Sequence, residues 1–458
     1  MASIPAAPQS TFRRALLAVG AVVALAAGVL QLDRLFRGGL NAPLDFAAFW
    51  AAGRLTVDGE NPYSGDRLRD AQASVGLTDL AVIAWNPPWT LTLLMPFGAV
   101  PFRAAYGLWV VVHLALVAAS AVLLWRAFDG PKRFAWVPLL IALTFVPTAF
   151  LIGGGQLTAV VLFGLAGFAA ACRAERPLLA GAALALCATK PHLFVPLGVW
   201  LLFSACRSQF GTRVLLGAFA AGALLCVPPT LAVPSVWNDY FAAVTGPPDA
   251  RIRPLAEWKP PLVGWWLRQA VPGTPFVVQW LPAALAAVAV VVWCLKRRTR
   301  LTPAESLARL PWLAGVSLLV APYGAWSYDL VLLLVPVLAV AAQVATAPSR
   351  RAIAAGVALL AGVNAVSLAM MVNGVSSEWY VWFAPCALLA AWTVRGRRSL
   401  VLPSPLAGEG GGASPTGEGW RLGGASVSPL TRLEDSPPSP ARGEGKKNTS
   451  PSPTGSHT

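Results

Sequence analysis

The sequence predicts an all-α, polytopic membrane protein, and three observations support this class. Of the 458 residues, 56% are hydrophobic and only 12% are charged, whereas a soluble chain carries about 25% charged residues. Apolar runs recur along the chain, many of them long enough to cross a hydrocarbon layer about 30 Å thick. Short basic clusters separate these runs, as orientation signals do. The alternating ten-residue strands of a membrane barrel are absent from the sequence.

The apolar runs predict about twelve transmembrane helices. They are 15–32, 104–126, 135–152, 157–172, 177–189, 192–206, 213–233, 276–295, 310–324, 328–345, 352–373 and 379–394. Only Lys190-Pro191 separates 177–189 from 192–206, so these two are either a pair of short helices or one helix kinked at proline. The first run, preceded by Arg13-Arg14, resembles a signal peptide, but an uncleaved first span is favoured in so apolar a chain.

The distribution of charge predicts the orientation of the chain. With residues 1–14 in the cytoplasm, alternate short loops place nineteen Lys and Arg residues but only three acidic residues on the inner side, as the positive-inside rule requires. The transmembrane domain then covers 15–395, with two long outer, periplasmic loops at about 33–103 and 234–275. Residues 89–99 are too short to span and are expected at the interface. The Gly/Ser/Pro-rich segment 396–458 is predicted to be a disordered tail.

Two other classes of function are disfavoured by composition. The net charge is +15, but no basic stripe of the kind that binds nucleic acid is present. The six cysteines lie in or beside apolar runs without a CxxC motif, which argues against a disulfide framework or a metal site.

Under this topology, several polar residues fall at the outer membrane face, where ionisable groups are often functional. Asp45 follows the first span and could accept a proton from an attacking hydroxyl, although an aspartate before an apolar run is also a common helix N-cap. Lys190 could bind a lipid phosphate or could simply snorkel at a helix end. His192 is either a structural histidine or part of the same anion site.

The remaining candidates have equally plain alternatives. Gln156 closes the run Gly153-Gly154-Gly155, whose backbone could approach a ligand closely or form a flexible turn. Tyr328 and Asp329 open an apolar run, where Asp329 is a site residue or an N-cap. Arg253 lies in the second long loop among tryptophans, an arrangement that suits a sugar or a headgroup but also an interfacial aromatic belt.

Four stretches together resemble glycosyltransferase family 87. They are DFAAFWAAGRLTVDGENPY, WNPPWTLTLLMPFGAVP, the long stretch from GGGQLTAVV to ATKPHLFVPL, and APYGAWSYDLVLLLVP. The likeness covers roughly residues 10–395 in order. Members include polyprenol-phosphate-mannose-dependent α-1,2-mannosyltransferases and proteins of unknown function, and they belong to the GT-C class of multi-span enzymes.

The resemblance implies a GT-C-like bundle and a hexosyltransferase of the inner (plasma) membrane with its active site facing the periplasm. The donor would be a polyprenyl-phosphate sugar, with mannose the expected hexose, and the acceptor a lipid or glycan. Asp45 matches the essential aspartate of the first outer loop, Lys190 the KP motif, Gln156 the GQ motif and Asp329 the YD motif. Many relatives carry a histidine near Tyr323 to Trp326, which this chain lacks.

The resemblance also implies inverting transfer. Asp45 would be the general base, and a cation such as Lys190 would stabilise the leaving phosphate. No Asp-x-Asp motif lies in an outer loop, so we expect no metal and no cofactor, the lipid-linked sugar being a substrate. The alternatives are a multi-span secondary transporter and a non-catalytic lipid-binding membrane protein. Against a transporter, the two halves of the chain are not alike.

Overall fold

A computed structural model describes residues 44–77, 81–246, 259–346 and 350–395 of the chain. All of them belong to one compact unit. The predicted first span 15–32, the candidate Arg253 and the predicted disordered tail 396–458 lie outside the described residues, as do parts of both predicted long loops.

The described part of the chain is helical and contains no β-strand. The α-helices are α1 Leu44–Val57, α2 Gly65–Ala73, α3 Leu91–Gly98, α4 Phe102–Ala127, α5 Val137–Thr144, α6 Val146–Gly154, α7 Thr158–Arg173, α8 Pro177–Cys187, α9 Val195–Ala205, α10 Gln209–Ala232, α11 Val236–Thr245, α12 Val263–Ala270, α13 Leu281–Arg297, α14 Pro303–Leu319, α15 Leu334–Thr346, α16 Arg350–Val372 and α17 Phe383–Arg395. Short 3₁₀ helices cover Pro88–Thr90, Lys132–Phe134, Pro191–Phe194, Phe276–Trp280, Asp329–Leu333 and Ser377–Trp382.

Several described helices are suited to a membrane. By length and composition, four stretches can cross a bilayer, namely Phe102–Ala127, Gln209–Ala232, Phe276–Arg297 and Asp329–Thr346, and a bent pair gives a fifth. Four shorter apolar helices accompany them. The described part of the chain is therefore all-helical and has the helices of a membrane protein, while the count of about twelve spans and the two periplasmic loops stay predictions.

Two apolar runs are divided where the sequence predicts single spans or leaves a choice. The run 135–152 is split into α5 and α6, which meet at an angle of 54°. Phe145 is extended and is the N-cap of α6, and Pro147 lies in the first turn of that helix, where proline is tolerated although it would break a helix interior. At Lys190-Pro191, α8 ends at Cys187 and a 3₁₀ turn precedes α9, so this stretch contains two short helices.

Helix α1 is held against α4 by an aromatic cluster. Phe46 of α1 lies 5.3 Å from the ring of Trp109 and 5.2 Å from that of Tyr106, both on α4. The indole of Trp50 donates to the carbonyl of Val100 at 3.1 Å. Alanines on α1 are fully buried between these rings. This packing fixes the start of α1, where Asp45 lies.

Helix α3 lies across α1 at very short range. A Cβ atom added to Gly53 would lie 2.4 Å from the carbonyl oxygen of Leu94, and one added to Gly98 would lie 2.2 Å from the backbone of Gly53. Only glycine allows two helix backbones to approach this closely. The eight-residue α3 is too short to span, as predicted for residues 89–99.

Candidate active site

A buried ion pair joins two segments that are far apart in sequence. The Nζ atom of Lys190 lies 2.8 Å from Oδ1 of Asp329. Lys190 is 6% exposed and Asp329 is 0% exposed. Lys190 precedes the 3₁₀ turn before α9, and Asp329 is the first residue of the 3₁₀ helix that leads into α15.

The Lys190 ammonium group donates two further hydrogen bonds. Oε1 of Gln156 accepts one at 2.9 Å, and Oγ1 of Thr158 accepts the other at 3.1 Å. The Thr158 hydroxyl in turn donates to Oδ1 of Asp329, and the Tyr328 ring lies 5.0 Å from Nζ. Because an ammonium group has three donors, all of them are used within this cluster. Lys190 is therefore a network residue and does not snorkel to the surface.

Asp329 bonds back to the turn that precedes it. Its Oδ2 atom accepts from the backbone N–H of Trp326 at 2.9 Å, while Oδ1 accepts from Lys190 and Thr158. The N-cap position of this 3₁₀ helix is held by Tyr328, without a side-chain cap bond. The N-cap alternative for Asp329 therefore does not describe its contacts.

Asp45 joins this cluster through Gln156. It lies in the first turn of α1, is partly exposed, and is close enough to the Gln156 side chain for that amide to lower the pKa of its carboxyl group. Gln156, which also accepts from Lys190, thus lies between Asp45 and Lys190. We call Asp45, Gln156, Thr158, Lys190 and Asp329 the polar cluster. It holds two carboxylates and one ammonium group, so one negative charge is unbalanced when both carboxylates are ionised.

The environment of Asp45 suits a base. Burial raises the pKa of its carboxyl group above the ordinary value, while the Gln156 side chain and the charge of Lys190 partly oppose this rise and Asp329 adds to it. Asp329 is directly paired with Lys190, so the unbalanced charge is best assigned to Asp45. A carboxylate with a raised pKa takes a proton more readily than an ordinary one.

His192 lies beside the polar cluster, outside its hydrogen-bonded network. Its ring stacks on that of Tyr323 at 4.4 Å. A Cβ atom on Gly324, whose φ is +66°, would lie 2.8 Å from Nε2 of His192. That Nε2 atom is buried and has no hydrogen-bond partner in the described part of the chain. The segment 323–326 contains no histidine, but the imidazole ring of His192 packs against it.

Three residues that contribute to this site were not predicted as site residues. Thr158 completes the bonds of Lys190, but a threonine at the start of an apolar helix carries no sequence signal for this. Asn86 Nδ2 donates to the carbonyl of Thr189 at 2.7 Å, and Trp89 Nε1 donates to that of Ala188 at 3.0 Å. The signal for these two was present, because both belong to the quoted stretch WNPPW. They hold the backbone immediately before Lys190.

Metal binding finds no support in the residues that the structure describes. They contain no group of three or more His, Cys, Asp or Glu side chains that could hold a metal ion. Metal independence itself stays a prediction.

The family model of glycosyltransferase family 87 matches residues 85–322, just over half of the chain. The chain belongs to glycosyltransferase family 87. The matched part contains Gln156, Lys190 and His192, whereas Asp45 and Asp329 lie on either side of it. Searches of curated proteins and of solved structures found no significant match. Membership of family 87 makes the chain a membrane glycosyltransferase, with a sugar donor and an acceptor.

Proposed function

We propose that the chain transfers a hexose, mannose by family resemblance, from a polyprenyl-phosphate donor to a lipid or glycan acceptor on the periplasmic side of the plasma membrane. The observation that carries this proposal is the polar cluster, in which Gln156 links a partly exposed Asp45 to the buried Lys190–Asp329 pair. A carboxylate that is positioned by neighbouring side chains and is still partly exposed can accept a proton from a bound hydroxyl group.

Asp45 is the base in this proposal. The acceptor hydroxyl oxygen attacks the anomeric carbon of the donor sugar and gives its proton to the Asp45 carboxylate. The bond between the anomeric carbon and the phosphate oxygen breaks on the opposite face, so the configuration inverts. The products are a glycoside and polyprenyl phosphate. Phosphate is a good leaving group, so no second acid is needed.

We propose contacts for the donor phosphate that differ from those that the resemblance implies. Direct binding by Lys190 requires an ammonium donor, and all three are engaged by Gln156, Thr158 and Asp329. We therefore assign Lys190 to orienting Gln156 and to supplying positive charge near the site. The buried Nε2 of His192 has no hydrogen-bond partner among the described residues, and we assign it a hydrogen bond to the substrate. Arg253, in the second predicted long loop, remains a proposed contact of the polyprenyl-phosphate sugar.

The decisive experiment measures transfer of radiolabelled hexose from a polyprenyl-phosphate donor in membranes containing the full chain. We expect Asp45→Asn to lower the rate by about 10²- to 10⁴-fold, the usual contribution of a general base. Asp58→Asn is the matched control, because Asp58 lies just beyond α1 in an exposed pair with Arg54. It should leave the rate unchanged, since exposed ion pairs contribute little.

Other outcomes would assign the chain differently. Full transfer activity in Asp45→Asn would remove Asp45 from the chemistry. Uptake of sugar into sealed vesicles without a new glycosidic product would indicate a transporter. Binding of the donor without product would indicate a non-catalytic lipid-binding protein. A chelator such as EDTA should not change the rate, and a loss restored by Mg²⁺ or Mn²⁺ would overturn the proposed metal independence.

A further inference from the structure

A basic cavity lies where α13 ends and α14 begins. Its volume is about 620 Å³. The side chains that line it are Trp293, Arg297, Arg298, Thr299, Arg300, Thr302, Glu305 and Arg309. We call it the arginine cavity. It contains four guanidinium groups and a single carboxylate, and neither the family assignment nor the proposed transfer reaction uses it.

The positive charge of the arginine cavity is largely unbalanced. Arg309 Nε pairs with Glu305 Oε2 at 2.9 Å, and its guanidinium group lies 5.1 Å from the centre of the Trp293 ring. Arg297, Arg298 and Arg300 have no ion-pair partner among the residues that the structure describes. Three neighbouring guanidinium groups without counter-charge repel one another, so an anion in the cavity would be stabilised.

The turn that carries these arginines is fixed by hydrogen bonds to the end of α9. Leu301 N–H donates to the Ser204 carbonyl at 2.9 Å, and the Ser204 and Thr299 hydroxyl groups are 2.7 Å apart. Ser208 Oγ donates to the Leu301 carbonyl at 2.6 Å. Leu301 is fully buried. A basic loop that only sets the orientation of a chain in the membrane needs charge and no particular conformation. This turn has both charge and a conformation fixed by hydrogen bonds, which a binding site requires.

The arginine cavity lies at the opposite end of the bundle from the polar cluster. Helix α9 starts three residues after His192 and ends at Ala205, beside the cavity turn. Helix α13 has 17 residues and is therefore about 26 Å long. It begins beside Gln279, whose Nε2 donates to the Pro322 carbonyl next to Tyr323, and it ends at Arg297.

An exposed apolar surface leads along α13 to the cavity. Val288, Val292 and Leu295 are all exposed and follow one another at helical spacing on one face. Exposed apolar side chains on a membrane-spanning helix face lipid chains. A lipid whose acyl chains lie on this face would bring its headgroup to Arg297, Arg298 and Arg300.

We propose that the arginine cavity binds the phosphate group of an anionic phospholipid. Guanidinium groups bind phosphate oxygens with paired, charge-assisted hydrogen bonds. Basic pockets between membrane helices are known to take such headgroups. The ligand chemistry is a phosphate ester, and the apolar face of α13 selects a lipid over free phosphate. This inference does not depend on the proposed transfer reaction.

The test compares lipid binding by the full chain in detergent with phosphatidylglycerol, phosphatidylcholine or inorganic phosphate added, using native mass spectrometry and thermal unfolding. The wild type should retain phosphatidylglycerol and unfold at a higher temperature with it than with phosphatidylcholine. The variant R297Q/R300Q should lose about tenfold or more in apparent affinity, since two charge-assisted contacts are removed. The control K132Q/R133Q removes the same charge from another predicted inner loop and should bind like the wild type.

Three results would decide against the proposal or refine its ligand. Equal binding by R297Q/R300Q and K132Q/R133Q would overturn it, because the effect would then be one of overall charge. Failure of phosphatidylglycerol to bind more tightly than phosphatidylcholine would overturn it too. Equal stabilisation by inorganic phosphate would overturn the proposal that the ligand is a phospholipid and would show that the cavity binds free phosphate. Should R297Q/R300Q fail to fold, R300Q alone and R297K/R300K provide the comparison, the latter keeping the charge and losing paired hydrogen bonds.

Discussion

Two aspartates of the polar cluster have different environments. Asp329 is fully buried and bonded to Lys190, Thr158 and the Trp326 backbone. Asp45 is partly exposed, and burial raises its pKa. A carboxyl group whose pKa is raised on folding stabilises the folded state below its unfolded pKa, and this contribution is lost as pH rises through the folded pKa. Ionised Asp45 therefore costs stability at neutral pH.

This sign leads to a prediction that separates activity from stability. Asp45→Asn should unfold at the same or a higher temperature than the wild type at pH 7.5, although transfer is lost. Towards acidic pH the difference should vanish, because Asp45 itself becomes protonated. Wild-type transfer should fall over the same range. Thermal unfolding in detergent at several pH values checks this, with Asp58→Asn as the control. A lower unfolding temperature for Asp45→Asn at pH 7.5 would contradict the raised pKa.

The Lys190–Asp329 pair supports a second prediction. Removing one member of a buried pair leaves the other buried without its partner and costs about 3–5 kcal/mol. Lys190→Met and Asp329→Leu should each lower the free energy of unfolding by this order. The double variant should lose clearly less than the two single losses together, because neither member of the pair is then left buried without the other. Denaturant unfolding of all four proteins measures the coupling, and additive losses would show that the pair is not coupled.

At the level of residues, the sequence predicted four of the five members of the polar cluster but not their contacts. The alternation of basic loops placed Asp45, Gln156, Lys190 and Asp329 at one membrane face, and the structure brings all four together. The sequence could not show that Lys190 pairs with Asp329, because 139 residues separate them and only the packing of the helices decides their distance. For the same reason, the three hydrogen bonds that Lys190 makes could not be predicted, and its contact with a phosphate stays a prediction.

At the scale of helices, the crossing of α1 and α3 positions Asp45, the proposed base. Gly53 and Gly98 are in direct contact there, with no room for a methyl group on either. Gly53→Ala or Gly98→Ala should push α3 away from α1, lower stability by about 1–3 kcal/mol and reduce transfer by moving Asp45. Unfolding and transfer assays on the purified full chain measure both effects.

A matched control for this crossing exists on the neighbouring helix. A Cβ atom added to Gly107 of α4 would meet nothing within 4 Å. Gly107→Ala should therefore leave transfer unchanged and raise stability by about 0.5–1 kcal/mol, because alanine favours a helix interior over glycine. If Gly53→Ala behaved like Gly107→Ala, the close contact of α1 and α3 would not be needed to hold Asp45.

The sequence predicts that the apolar runs are helices, but it predicts less well which of them cross the membrane as single straight spans. Hydropathy indicates an apolar run whether the chain crosses the membrane straight or bends within it. The run 135–152 is a single stretch by hydropathy, yet α5 and α6 meet at 54°. The bend follows from Pro147 and from the bond of the Val146 N–H to Asn364 Oδ1 at 3.1 Å. That bond crosses 218 residues of sequence, so no local pattern could reveal it.

In the whole molecule, the polar cluster and the arginine cavity lie at opposite ends of the same helices. This separation agrees with the charge pattern of the sequence, which places the basic loops inside and Asp45 outside. Two exposed positions, one near each end, can be labelled to show which side of the membrane each end faces. Ser74 follows α2 in the first predicted outer loop, and Cys206 follows α9 beside Arg207, which donates to the Cys294 carbonyl near the cavity.

Labelling with a membrane-impermeant maleimide therefore tests the orientation of the chain in the membrane, and with it the side on which transfer is proposed to occur. In spheroplasts, a variant carrying Ser74→Cys and Cys206→Ser should be labelled without permeabilisation. A variant that keeps Cys206 should be labelled only after permeabilisation, because that end is predicted to face the cytoplasm. Cys226 and Cys386, which are partly buried, are replaced by alanine in both proteins. The reverse pattern would place Asp45 in the cytoplasm, and a donor presented at the outer face could then not reach its base.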